Sequence, residues 1–374
     1  MLRGLSIFFV LMNHVNIRLL GADVPYTNYL HPQLLHLLVW NGQLGVQVFF
    51  AVSGFLITSI TLRRWSPLSE VSLRSFYWLR FARIVPLLLL LVAILSGLDL
   101  AGVHHYVVTA KTGGLSRALL AVFTFHVNVL EARRGYLPGN WDILWSLSVE
   151  EMFYLFFPIV CRLFGRGKLF VLTLCTFVLL GPFGRTVFAH GNEIWEEYSY
   201  LGGMEGIALG CLTALIVSRV RISRVALRFL GIGGAAIVIC SLVFSWQAYR
   251  GWLGRTGLNM TLLDLGTCMF IAATTQVQWR SPRLLAPVLR MGQYSYEIYL
   301  THMFVVFTFF DGFLALGKSM RLVPLLFVVT ILAAVALGAV VATFYSEPVN
   351  RLLRNRFATQ PSSVLESHAV SSKS

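Results

Sequence analysis

Seven ionisable side chains stand inside otherwise apolar runs: His14, Glu150, Glu151, Glu205, Asp264, Glu297 and His302. A charge at the centre of a membrane-crossing helix costs about 2.5–3.5 kcal/mol on insertion scales, so each such residue is a candidate for function. Taken singly, each is explained equally well by a hydrogen bond to a neighbouring helix. Spacing adds information. His14 follows Arg3 by eleven residues, almost three helical turns, which sets both on one face about 16 Å apart. An imidazole at that depth can stay neutral and act as a base near pH 7, while a guanidinium at the mouth suits an anion. Arg80 and Arg83, at i and i+3, share a second face; a plain basic loop accounts for them equally well. In the run Trp145 to Glu151, Glu150 lies four residues from both Ser146 and Tyr154, a polar stripe able to hold a carboxylate inside a bundle. Ser295, Tyr299 and His302, at i, i+4 and i+7, make another stripe, in which His302 fits a structural role as readily as a chemical one.

The elements that must carry these residues follow from composition. The chain has 374 residues, 57% of them hydrophobic and 12% charged, against about 45–50% and about 25% in an ordinary soluble domain. With a mean hydropathy of +0.73, it reads as a membrane protein. The net charge of +14 needs no nucleic-acid partner, because cytoplasmic loops of polytopic proteins are basic. The five cysteines have neither metal-ligand nor CxxC spacing and read as packing residues. No metal site is expected.

Eleven apolar segments begin near Leu2, Gly42, Ile84, Leu115, Ile143, Leu169, Tyr198, Ala226, Leu258, Tyr294 and Leu322. They are continuous rather than alternating, which favours helices over a barrel. Basic clusters follow the second segment (Arg63, Arg64, Arg74, Arg80, Arg83), the seventh (Arg219, Arg221, Arg224, Arg228), the ninth (Arg280, Arg283, Arg290) and the last (Arg351, Arg354, Arg356). Eleven crossings would split these clusters between the two sides; ten unite them. The short stretch from Leu115 to Leu130 carries Arg117, His126 and Asn128 and is expected to be re-entrant or interfacial. The expected fold is therefore an all-α, polytopic helical bundle with about ten transmembrane helices, eleven if that stretch crosses, and both termini in the cytoplasm. Residues 1–356 form the membrane domain, and the Ser-rich segment 357–374 reads as a disordered tail.

In fixed order along the chain, Arg3-Gly4-Leu5 with His14, Phe49 to Ile57 (FFAVSGFLI), Arg80 to Pro86 (RFARIVP), Trp145 to Pro158 (WSLSVEEMFYLFFP), Ser295 to His302 (SYEIYLTH) and Tyr345-Ser346-Glu347-Pro348 resemble the motifs of acyltransferase family 3, membrane enzymes that acylate carbohydrates. The likeness covers residues 1 to about 356. It implies that His14 is the essential histidine, with Arg3 in the same motif. It further implies that Glu150 is the key acid, and that Ser53, Arg80, Arg83, His302 and Glu347 support the site or hold the donor; Glu151 and Tyr299 stand beside these. Arg3 stands nearer the start of the chain than its counterpart does in relatives. No hydrolase-like domain follows Phe357, so any second, extracytoplasmic step is expected to fall to another protein.

The function this resemblance implies is O-acylation at the bacterial cytoplasmic membrane. The acyl group, most simply acetyl, comes from acyl-CoA, with no permanently bound cofactor. The acceptor is a hydroxyl on a carbohydrate or glycolipid such as a surface polysaccharide, exopolysaccharide, peptidoglycan, lipochitooligosaccharide nodulation signal or macrolide sugar. The residues fit that chemistry. Arginines would hold the CoA phosphates, His14 would take the acceptor proton, and Glu150 would orient the ring or stabilise the imidazolium. The rival reading is a proton-coupled transporter or flippase, which more typically shows repeated halves with broken helices; none is visible here.

Overall fold

The computed structural model describes residues 1–29, 31–277 and 282–358; Arg280 and most of the 357–374 segment lie outside them. Among the described residues, ten helices are long and apolar enough to cross a bilayer. They are α1 (Leu2–Gly21), α2 (Gly42–Arg64), α3 (Leu73–Leu100), α4 (Leu144–Phe164), α5 (Lys168–Arg185), α6 (Tyr200–Arg219), α7 (Arg224–Val243), α8 (Leu258–Thr275), α9 (Ser295–Ala315) and α10 (Val323–Val341). The chain is a polytopic helical membrane protein. Local sequence sets several starts: the hydroxyls of Ser72, Ser199 and Ser223 accept hydrogen bonds from the amides of Ser75, Gly202 and Ala226 at the first turns of α3, α6 and α7. Arg63, Arg64 and Arg219 occupy the last turns of α2 and α6, where the helix dipole favours a cation.

The stretch from Leu115 to Leu130 does not cross. It forms two short helices, Gly114–Phe123 and Val127–Arg134, separated by a turn in which Phe125 has φ +55°. Ten residues of helix reach only about 15 Å, half of a bilayer core. With ten crossings, the basic loops after α2, α4, α6 and α8 and the α1 start all fall at one end of the bundle. The other end carries Glu193, Glu196, Glu197, Arg250 and Arg255. The third span differs from expectation at its start: α3 begins at Leu73, about three turns before Ile84, so Arg80 and Arg83 ride on the helix itself.

Packing is closest where α2 meets α6. A Cβ at Gly54 would run into the Ile207 backbone carbonyl, and one at Gly210 into that of Ala51. The two glycines thus let the backbones touch, as small residues four apart (Gly206, Gly210) do in membrane helix pairs. Helix α1 lies against α2, α9 and α10, which puts the His14 helix in the middle of the molecule. Helix α7, by contrast, is only 11% buried over its apolar window and faces outward.

The intramembrane acids separate into two groups. Glu205 pairs with Arg185 and accepts from the Thr261 hydroxyl at 2.5 Å, while the Gln47 amide donates to Asp264 at 2.6 Å. This network ties α2, α5, α6 and α8 together, and none of its charged groups lines either chamber described below. Glu297 is also structural: its buried carboxylate takes the Arg83 guanidinium at 2.9 Å, joining α9 to α3.

Candidate active site

Two chambers follow one face of α1. The inner one lies towards the arginine-rich end, encloses about 30 Å³, and is lined by Ser6, Phe49, Ser146, Glu150 and Tyr296 among others. The outer one encloses about 340 Å³ and is lined by Asn13, His14, Arg18, Gln43, Asp142 and Glu197 among others. Val10, Val46 and Tyr299 line both and form the septum between them. Two aliphatic residues and a phenol thus divide a path that runs along α1 from Ser6 to Arg18.

His14 stands one helical turn beyond the septum. Its ring centroid is 5.1 Å from that of His302, at a tilt of 46°. The His302 Nδ1 lies 2.6 Å from the Tyr299 carbonyl oxygen; since a carbonyl only accepts, Nδ1 carries the proton in the neutral ring. Nε2 is then a lone-pair acceptor, and it is buried without a partner. The Tyr299 hydroxyl donates to the Ile143 carbonyl at 2.8 Å and meets the Ser146 hydroxyl at 2.6 Å. Ser146, Tyr299 and His302, predicted on two separate stripes, therefore converge where α4 meets α9.

Glu150 lies on the other side of the septum. The charges that reach it are those of Arg3 and Arg80, and the Ser53 hydroxyl is beside it. Arg80 packs its guanidinium over the Tyr154 ring at 4.1 Å, and Arg3 covers Phe49 at 4.9 Å. Neither arginine forms an ion pair within 4 Å among the described residues, and the Nε of Arg3 is buried without an acceptor. Glu151 faces the same Arg80 charge. Arg3, Ser53, Arg80, Glu150, Glu151 and Tyr154 thus gather from α1, α2, α3 and α4 into one cluster. Arg83 adjoins it but spends its charge on Glu297. Glu347 does not join: it starts the helix Glu347–Ala358, pairs with Arg351 at 3.2 Å, and lines neither chamber. Beside His14 the aromatic neighbour is His302, while Glu150 keeps to the arginine cluster.

The outer chamber holds residues that sequence reasoning passed over. Arg18, one turn beyond His14 on the same face, stacks on Phe307 at 5.1 Å. Asp142 accepts from the Tyr198 hydroxyl at 3.2 Å, and Tyr198 lies flat on Trp145 with centroids 4.0 Å apart. Behind Asp142, burial first and then the Asp142 charge hold the Glu131 carboxyl well above the usual carboxylate range, against the opposing Leu137 amide. At the rim, burial likewise pushes the Tyr136 phenol up to about 12. The signal for Arg18 was in the sequence: it lies at i+4 from His14.

Comparison with known proteins fits this architecture. A family model described as an acyltransferase domain matches residues 1–343. The O-acetyltransferase OatA of Staphylococcus aureus strain NCTC 8325 is 24% identical over 346 residues, covering 86% of this chain and 54% of that protein. The peptidoglycan O-acetyltransferase OatA of Listeria monocytogenes is 28% identical over 279 residues, 70% of this chain and 44% of that protein. The chain spans about half the length of these curated relatives. No solved structure matches. With a match over nearly the whole membrane bundle and the histidine, arginine and glutamate clusters assembled around α1, the chain belongs to acyltransferase family 3.

Proposed function

We propose that this protein is a membrane O-acetyltransferase that moves acetyl from acetyl-CoA to a hydroxyl of a cell-envelope carbohydrate, with the peptidoglycan glycan strand as the acceptor suggested by the relatives. The observation that carries this reading is the position of His14 in the wall of an outer chamber, with an unpaired arginine cluster at the far side of a thin septum along the same helix. Arg3 and Arg80, which form no ion pair within 4 Å among the described residues, offer their guanidinium groups to the phosphates of CoA. The thioester then approaches the septum from the Glu150 side and the sugar hydroxyl from the His14 side.

In the transfer, the acceptor oxygen attacks the acetyl carbonyl carbon while His14 takes the hydroxyl proton. The carbon–sulfur bond breaks, and His14 returns the proton to the departing CoA thiolate. His302, with Nδ1 committed to the Tyr299 carbonyl, presents an acceptor nitrogen to its neighbour His14; an N–H of His14 directed there leaves the other His14 nitrogen free as the base. Base help of this kind is worth about 10²- to 10⁴-fold, and the rest comes from holding the two reactants in a dry cavity. The protein is read as lying in a bacterial cytoplasmic membrane, with its arginine-rich end towards the cytoplasm.

The test is acetyl transfer in proteoliposomes given radiolabelled acetyl-CoA and soluble peptidoglycan glycan strands. Label should enter the glycan with the wild-type chain and fall by at least about 10²-fold with His14→Ala, at equal insertion and melting temperature. Full transfer by that variant removes His14 from the chemistry.

A further inference from the structure

The outer chamber holds a cation and an anion that do not meet. Arg18, from α1, and Asp142, from the turn Gly139–Asp142 ahead of α4, both line it. Each lies in the field of the other, yet no ion pair within 4 Å joins them among the described residues. Opposite charges on flexible side chains beside a cavity ordinarily close on one another. Here both are held back. The Arg18 guanidinium is stacked on Phe307 and lies against Gly139, where a Cβ would already stand 3.6 Å from one of its nitrogens. Asp142 is fixed from behind by the Tyr198 hydroxyl, itself braced on Trp145. The Glu131 carboxyl stands close enough for the two acids to feel each other's charge, its Oε1 accepting from the Leu137 amide.

We infer that Arg18 and Asp142 form a clamp for a hydroxyl of the acceptor carbohydrate, an assignment that rests on the acetyltransferase reading above. A hydroxyl both donates and accepts, so one sugar oxygen can give its hydrogen to Asp142 and take one from Arg18. An ammonium or a carboxylate would satisfy one partner and repel the other. Being i+4 from His14, Arg18 is about 6 Å farther along the axis. A sugar ring held by one hydroxyl at the clamp therefore turns a different hydroxyl towards His14, which makes the pair a determinant of which hydroxyl is acetylated. The exposed Tyr136, edge-on to Tyr198 at 6.0 Å, provides an apolar face at the rim for the ring.

The full chain in proteoliposomes, with acetyl-CoA and soluble peptidoglycan glycan strands as probes, tests this. Arg18→Gln and Asp142→Asn should each raise KM for the glycan at least about tenfold, as loss of hydrogen bonds to charged groups does. KM for acetyl-CoA should stay within about twofold, and the double variant should be little worse than either single one, because either loss opens the clamp. Arg18→Lys, which keeps the charge but loses the fork, serves if Arg18→Gln fails to insert. Unchanged glycan KM in variants that retain the wild-type melting temperature overturns the clamp and leaves the acetyltransferase reading standing. Equal rises in both KM values also overturn it, since they mark a general distortion. If the wild-type chain cleaves acetyl-CoA but acetylates no glycan, the acceptor reading falls and the clamp with it.

Discussion

At the scale of single residues, the site combines groups that announce themselves in sequence with groups that do not. His14 stood out as a candidate because its distance from Arg3 matches helical periodicity within an apolar run, and it lines the outer chamber. Glu297 also stood in an apolar run, yet it is the buried partner of Arg83; a one-dimensional pattern does not distinguish a carboxylate with a salt bridge from one with a task. Arg18 did not stand out, since an arginine in the last turn of a span has an ordinary anchoring use. Glu131 gives a pH test. Its carboxyl, raised by burial and the Asp142 charge, stays protonated in the folded protein at pH values where the unfolded chain, with an ordinary glutamate near 4.5, has lost that proton. The native state then binds more protons than the unfolded one. Stability accordingly falls as pH rises above about 4.5, with a slope of up to about 1.4 kcal/mol per pH unit until the group ionises in place. Melting curves in detergent between pH 5 and 7 should show wild type losing more stability with rising pH than Glu131→Gln. Parallel curves would mean that Glu131 ionises normally.

At the scale of elements, hydropathy alone located the spans to within a turn or so, except α3, whose first three turns carry arginines and were taken for loop. The charge rule then reduced eleven segments to ten, since basic loops favour one side, and its shortness and polar residues marked Leu115 to Leu130 as the one that does not cross. What remained hidden was which faces meet. That depends on close approaches such as Gly54 on Ile207 and Gly210 on Ala51, where the relevant fact is a missing side chain. Gly210→Leu should force α2 and α6 apart. Overpacking of a tight contact costs about 1–3 kcal/mol, and because α2 supplies Val46 and Ser53 to the site, acetyl transfer should fall together with the melting temperature in detergent. A variant that melts normally would show that the crossing is looser than described.

At the scale of the whole molecule, ten crossings put the basic loops after α2, α4, α6 and α8 at one end and the 340 Å³ chamber towards the other, where Arg250 and Arg255 also lie. In intact bacterial cells, a membrane-impermeant maleimide should label Tyr136→Cys, at the outer rim, and should reach Arg219→Cys, in the last turn of α6, only after permeabilisation. The reverse pattern would invert the orientation and, with it, the side from which the acceptor enters. The septum of Val10, Val46 and Tyr299 acquires a further meaning in a bilayer that carries a voltage. Water standing in both chambers at once with no barrier between them would be a wire for protons, and the cell would lose its ion gradients through its own enzyme. Two valines and a tyrosine hydrogen-bonded to Ile143 are thus an electrical insulator only one residue thick; on the acetyltransferase reading proposed above, an acetyl group that passes must widen that layer by its own size, and the layer must close again before ions follow.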